Sequence, residues 1–128
     1  MKRSLILFAH GARAPSWAAP FERLRDLTQA RAPDAAVSLA FLELMEPRLP
    51  AQVAALAAQG ILDITVVPVF LGQGGHVLRD LPLMVDQLRL DFPALTIKVV
   101  GAVGEDASVL AAMTGYCVDA LGGAGATA

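Results

Sequence analysis

One cysteine, one tryptophan, one tyrosine and two histidines are spread over 128 residues, and charged side chains make up only 17% of them. A single thiol, Cys117, cannot close an intrachain disulfide, so the chain is not a stapled secreted scaffold, and a reducing compartment suits it. Set in an apolar helical pattern, Cys117 reads as a small buried residue. The absence of any CxxC or closely spaced His/Cys pair argues against a structural zinc site. The net charge is −2, without the basic excess that sequence-independent nucleic-acid binding needs, so an anionic ligand must be held by local arginines. No apolar stretch approaches the ~18 residues of a membrane span. Lys2 and Arg3 do precede an apolar run, but "HGAR" breaks it too early for a signal peptide. These absences predict a cytoplasmic protein with neither nucleic-acid nor membrane partners.

What is abundant is apolar surface, at 55% of residues, enough for a core and for a subunit interface. The run "SLILFA" (4–9) is continuously apolar, as in a strand covered on both faces. Trp17, Phe21, Leu24 and Leu27 recur at helical spacing, with Ser16 as an N-cap and Pro33 beyond the end. Residues 36–43, "AVSLAFLE", form a second strand, followed by a helix with prolines in its first turn and Gly60 at its C-terminal cap. Residues 62–71 are the strongest strand, with a bulge or bend expected at Pro68. A helix over 81–90, a strand in "LTIKVVGAV" and a helix in "EDASVLAAMTGYCVDAL" complete the series. Four strand–helix alternations without a linker predict one α/β domain over 1–121, with the glycine-rich tail 122–128 disordered. A four-stranded parallel sheet of order 2-1-3-4 follows, and its ligand crevice lies beyond the carboxyl ends of strands 1 and 3.

Both histidines fall at that edge. His10 follows the first strand, His76 follows the third, and Glu43 closes the second. Two imidazoles and a carboxylate suit Fe²⁺, Co²⁺, Ni²⁺ or Zn²⁺ better than Mg²⁺ or Ca²⁺, and three protein ligands leave positions open for exchange of the ion. Glu46, three residues on, competes with Glu43 for any such role. The loop "GQGGHV" has Val77 where a dinucleotide fingerprint needs its third glycine, and no G-K-[ST] is present, so neither phosphate-binding motif is met. Gly74 and Gly75 instead clear space for something flat and bulky beside His76. Arg13 and Arg79 each follow a histidine by three residues, an arrangement that suits carboxylates. Asp80 reads as a helix cap.

The stretches "LILFAHGAR", "FLELMEP" and "VPVFLGQGGHVLRDLP" resemble the small sirohydrochlorin chelatases of the CbiX/SirB group, which are class II chelatases. The similarity runs from about Leu5 through Val100, and its specificity lies in the combination of an H-G-x-R loop, a strand ending F-L-E, and Gly74, His76, Asp80 and Pro82 in order. The resemblance implies a chelatase-like three-layer α/β/α fold and a homodimer. It implies that His10 and His76 bind the metal, with Glu43 nearby, and that Arg13 and Arg79 hold the carboxylates of a sirohydrochlorin-type tetrapyrrole. The metal, Co²⁺, Fe²⁺ or Ni²⁺, is then a substrate, and no organic cofactor is expected. Ala12 stands where the group usually has serine. A carrier of metal or tetrapyrrole using the same pocket is the alternative. A histidine-phosphatase-like reading of "AHG" fails because Ala9 occupies the place of the phosphate-anchoring arginine.

Overall fold

Four parallel strands form one sheet in the order β2-β1-β3-β4, in a computed structural model that describes residues 3–72 and 74–122. The elements are β1 (Arg3–Ala9), α1 (Ala19–Arg31), β2 (Ala35–Phe41), α2 (Leu49–Ala58), β3 (Asp63–Pro68), α3 (Gly75–Asp91), β4 (Thr96–Val99) and α4 (Ala107–Asp119). Short 3-10 turns at Pro15–Ala18 and Val103–Glu105 precede α1 and α4. β1 pairs with β2 along its whole length, Arg3 opposite Ala35 through Ala9 opposite Phe41, and with β3 from Arg3–Asp63 to Phe8–Pro68. The expected strand order and parallel sheet are therefore present. The glycine-rich tail lies outside the described residues, apart from Gly122.

The sheet is buried unequally. On one face Ile6, Phe8, Ile64, Val66 and Ile97 pack against Leu49, Val53 and Leu56 of α2 and against Val77, Leu81, Val85 and Leu88 of α3. Each such side chain contributes about 1.5–3 kcal/mol by leaving water, so this face dominates the core. On the other face Leu7, Ala9, Val37, Leu39 and Phe41 meet Ala18 and Phe21, with α1 lying over the β1–β2 half. Gln29 ties α1 to that edge: its amide donates to the Ala32 and Ala35 carbonyls, and its carbonyl accepts from Val37 N–H.

Several local expectations are corrected. Ser16 caps nothing: it lies inside the 3-10 turn, and the residue before α1 is Ala18, without a side-chain cap. Trp17, Leu24 and Leu27 are exposed, and Phe21 carries most of α1's inward packing. β2 ends at Phe41, so Glu43 sits beyond the strand. Pro68 makes no bulge. It closes β3, where the β4 ladder has already ended at Val66–Val99 and needs no further donor. α3 starts at Gly75, well before the expected residue 81, because Gly74 in extended conformation caps it and Leu78 N–H donates to the Gly74 carbonyl. Pro82 is consequently inside the helix, and Asp80 is a helical residue beside Arg79, not a cap. Cys117 is exposed on α4, not buried.

Candidate functional site

β1 delivers His10 to the carboxyl edge of the sheet, and the segment after β2 is folded back to meet it. Leu42 N–H donates to the Ala9 carbonyl, and Phe41 N–H to the Pro47 carbonyl, pinning both ends of that segment. Between them Met45 N–H reaches the Glu43 carbonyl at 2.8 Å, closing a turn centred on Leu44, whose φ is +68°. A three-residue turn with positive φ at a leucine is strained, and it aims the Glu43 side chain back at β1. Gly11 explains the fit: a Cβ there would lie 1.9 Å from the Glu43 carbonyl oxygen, so only glycine admits this approach.

The outcome is one hydrogen-bonded pair, His10 Nδ1 to Glu43 Oε1 at 3.2 Å, with the His10 side chain 46% exposed. An ionised carboxylate only accepts, so the imidazole donates through Nδ1–H, which leaves the Nε2 lone pair free for a metal ion. The His10 ring rests on buried Phe70, with centroids 4.7 Å apart, and the Trp17 indole N–H donates to the His10 carbonyl at 2.7 Å. Trp17 is the site residue that the sequence reading missed. Its helical spacing made it look like core, whereas it lies in the 3-10 turn beside His10.

His76 is elsewhere. It occupies the first turn of α3, where the Arg79 guanidinium, one turn on, donates to its Nδ1 at 3.1 Å. Among the described residues, no three His, Cys, Asp or Glu side chains lie together as a metal-binding group. Within the predicted set, the hydrogen bonds pair His10 with Glu43 and His76 with Arg79. Glu46 is occupied at the start of α2, accepting the Arg48 N–H at 3.3 Å. Arg13 is exposed and bonds to no described residue. A Cβ on Gly74 or Gly75 would meet no atom of the chain within 4 Å, so the space beside His76 is open. Large apolar side chains are exposed on the same edge: Trp17 after β1, Leu44 after β2, Leu71 after β3 and Leu78 at the start of α3.

The CbiX family profile matches residues 4–117, a span that contains His10, Glu43 and His76. The chain belongs to the CbiX family. It is 35% identical over 81 residues to a sirohydrochlorin cobaltochelatase of Methanopyrus kandleri, a match covering 63% of this chain and 57% of that protein. A Bacillus subtilis sirohydrochlorin ferrochelatase matches at 26% identity over 88% of this chain and 43% of its own length. The CbiX chain therefore spans about half the length of the curated relatives it matches. The crystal structure of a CbiX protein from Marinobacter aquaeolei VT8 superimposes with a TM-score of 0.83 at 30% identity, covering 95% of this chain and 99% of that one. The sirohydrochlorin chelatase SirB from Bacillus subtilis subspecies spizizenii, in complex with cobalt, gives 0.77 at 26% identity, covering 93% of this chain and 51% of SirB.

Proposed function

We propose that this CbiX chain inserts a divalent metal ion into sirohydrochlorin, with Co²⁺, Fe²⁺ and Ni²⁺ as candidate ions and the tetrapyrrole as co-substrate. The single observation that carries the reading is the His10–Glu43 pair at 3.2 Å on the open edge of the sheet. In the tautomer with the proton on Nδ1, this pairing leaves an oriented Nε2 for whatever lies there. Metallation exchanges one M²⁺ for the two pyrrole N–H protons of the ring, so the site must bind an ion, release it and accept protons. His10 Nε2 can hold the ion and, once the ion has passed to the ring, take one of the two protons there, the other leaving to solvent water. The resulting imidazolium faces Glu43, which stabilises it and is exposed enough to pass the charge to water. His76 is the second ligand of the reading, and Arg13 and Arg79 meet ring carboxylates. The exposed apolar side chains on this edge suit the face of a flat macrocycle. The chain works as a homodimer in the cytoplasm.

The test uses Trp17, the sole tryptophan, as a reporter, because its indole is bonded to the His10 carbonyl. Co²⁺ is expected to quench its fluorescence in the wild type and not in His10→Ala, and that variant is expected to lose the absorbance change of sirohydrochlorin metallation. Wild-type rates in His10→Ala sink the proposal. More than one metallated product per subunit excludes a stoichiometric carrier.

A further inference from the structure

The turn between β4 and α4 is built on a backbone approach that only glycine permits. At Gly104 a Cβ would lie 1.9 Å from the Leu71 carbonyl oxygen and 2.4 Å from both the Leu71 carbonyl carbon and its Cα. Those atoms are backbone, so no side chain can swing aside to make room. Among the described residues the glycines with positive φ are Gly60 and Gly122, so Gly104 is dictated by space and not by conformation. The approach makes a backbone bond: Gly104 N–H donates to the Phe70 carbonyl at 2.9 Å. Ala102, almost wholly buried, anchors the turn, and Glu105 N–H donates to its carbonyl.

The segment that receives this contact lies beneath His10. β3 ends at Pro68 and the β4 ladder at Val66–Val99, so Phe70 is beyond the strand pairing. Two bonds hold it instead. On the β1 side Val69 N–H donates to the Phe8 carbonyl at 2.7 Å, and on the β4 side the Phe70 carbonyl accepts from Gly104. The Phe70 ring is buried, edge-on to Phe8 at 5.9 Å between centroids and 4.7 Å from the His10 imidazole. In a close-packed interior such a ring cannot shift without shifting what rests on it. Gly11 and Gly104 thus act alike on opposite flanks. Gly11 admits the Glu43 carbonyl, and the Glu43 side chain bonds His10; Gly104 admits the Leu71 carbonyl, and the preceding Phe70 supports the His10 ring.

We propose that Gly104 is a positioning residue for His10, acting through Phe70. Glu43 fixes the imidazole by one ring nitrogen, and Phe70 supports its face. Both are needed to hold the other nitrogen in one direction, since a metal-binding histidine is only as well placed as the groups behind it. The proposal goes beyond the assignment of His10 as the metal-holding residue and rests on it only for its metal readout.

The experiment follows the His10 ring signals by NMR, and Co²⁺ quenching of Trp17, in the full chain. The wild type is expected to show nuclear Overhauser contacts between the Phe70 and His10 rings and between Gly104 and Leu71; the absence of either overturns the proposal. Phe70→Leu keeps an apolar side chain but removes the ring, and is expected to move the His10 ring signals. Gly104→Ala is expected to move the same signals and to weaken Co²⁺ binding about tenfold, the loss typical when the support of a metal ligand is disturbed. In the Phe70→Leu background, Gly104→Ala is expected to add less than about twofold, because both act through one contact. Gly115→Ala, whose Cβ meets nothing within 4 Å, leaves both readouts at wild type. Unmoved His10 signals in folded Gly104→Ala, or additive losses in the double variant, overturn the proposal. If Gly104→Ala does not fold, Phe70→Leu decides, and unmoved His10 signals there overturn it. A wild type that Co²⁺ does not quench overturns the metal reading of His10, and the ring signals still decide the positioning.

Discussion

Gly11 and Arg79 control the two histidines from opposite directions. Gly11 lets the Glu43 carbonyl come within what would be 1.9 Å of a Cβ, so Gly11→Ala must push the 43–45 turn off β1. That forced overpacking is expected to cost about 1–3 kcal/mol of stability, read as the urea midpoint, and to weaken Co²⁺ quenching of Trp17 as Glu43 leaves His10. Arg79 acts on His76. Its guanidinium can only donate, so the Nδ1 that it bonds is an acceptor and a neutral His76 carries its proton on Nε2. In that state neither ring nitrogen has a free lone pair, and metal binding at His76 requires Arg79 to let go. A substrate carboxylate would draw it off. Arg79→Met is therefore expected to tighten Co²⁺ binding in the absence of tetrapyrrole by about 2- to 10-fold, the equivalent of an exposed hydrogen bond of about 0.5–1.5 kcal/mol. If sirohydrochlorin is the substrate as proposed, the same variant is expected to raise its KM. Unchanged metal affinity shows that the bond does not restrain His76.

At the scale of elements, α3 and α4 begin differently. α3 (Gly75–Asp91) follows Gly74 with no side-chain cap and runs through Pro82, which offers no donor to the turn before it. α4 begins at Asp106, whose carboxylate accepts the Ser108 hydroxyl and the N–H groups of Ser108 and Val109. The Ser108 hydroxyl bond, then the Val109 N–H bond, hold the Asp106 carboxyl below its ordinary value. A folded pKa below the unfolded one means the cap contributes above the unfolded value and is lost as pH falls through the folded one. Acid titration followed by circular dichroism is expected to show part of the helical signal declining in that range. Asp106→Asn, which keeps an accepting oxygen but does not titrate there, should remove this step.

For the whole molecule, the unequal covering of the sheet is the controlling feature. One face is closed within the chain, and the other is half closed. If two copies associate as proposed, folding and association are linked, and stability depends on protein concentration. The thermal midpoint is expected to rise with protein concentration, and a constant midpoint would count against the association.

Much of this was legible in one dimension. Apolar runs such as "SLILFA" and the alternation of strand with helix determined the sheet, its order, and the arrival of His10 at its carboxyl edge. Local periodicity suffices there, because burying a strand on both faces demands it. The start of α3 was not legible. Pro82 read as a first-turn residue, whereas a helix packed through Val77 and Leu81 tolerates it inside. Cys117 sits in a stripe that reads as buried because the pattern anticipates a covering surface, and among the described residues nothing provides it. Tertiary structure alone decided that Glu43 meets His10 while His76 meets Arg79. Those pairings depend on a close approach between distant segments and on the turn of α3 from which His76 projects, and both are set by packing across the sheet.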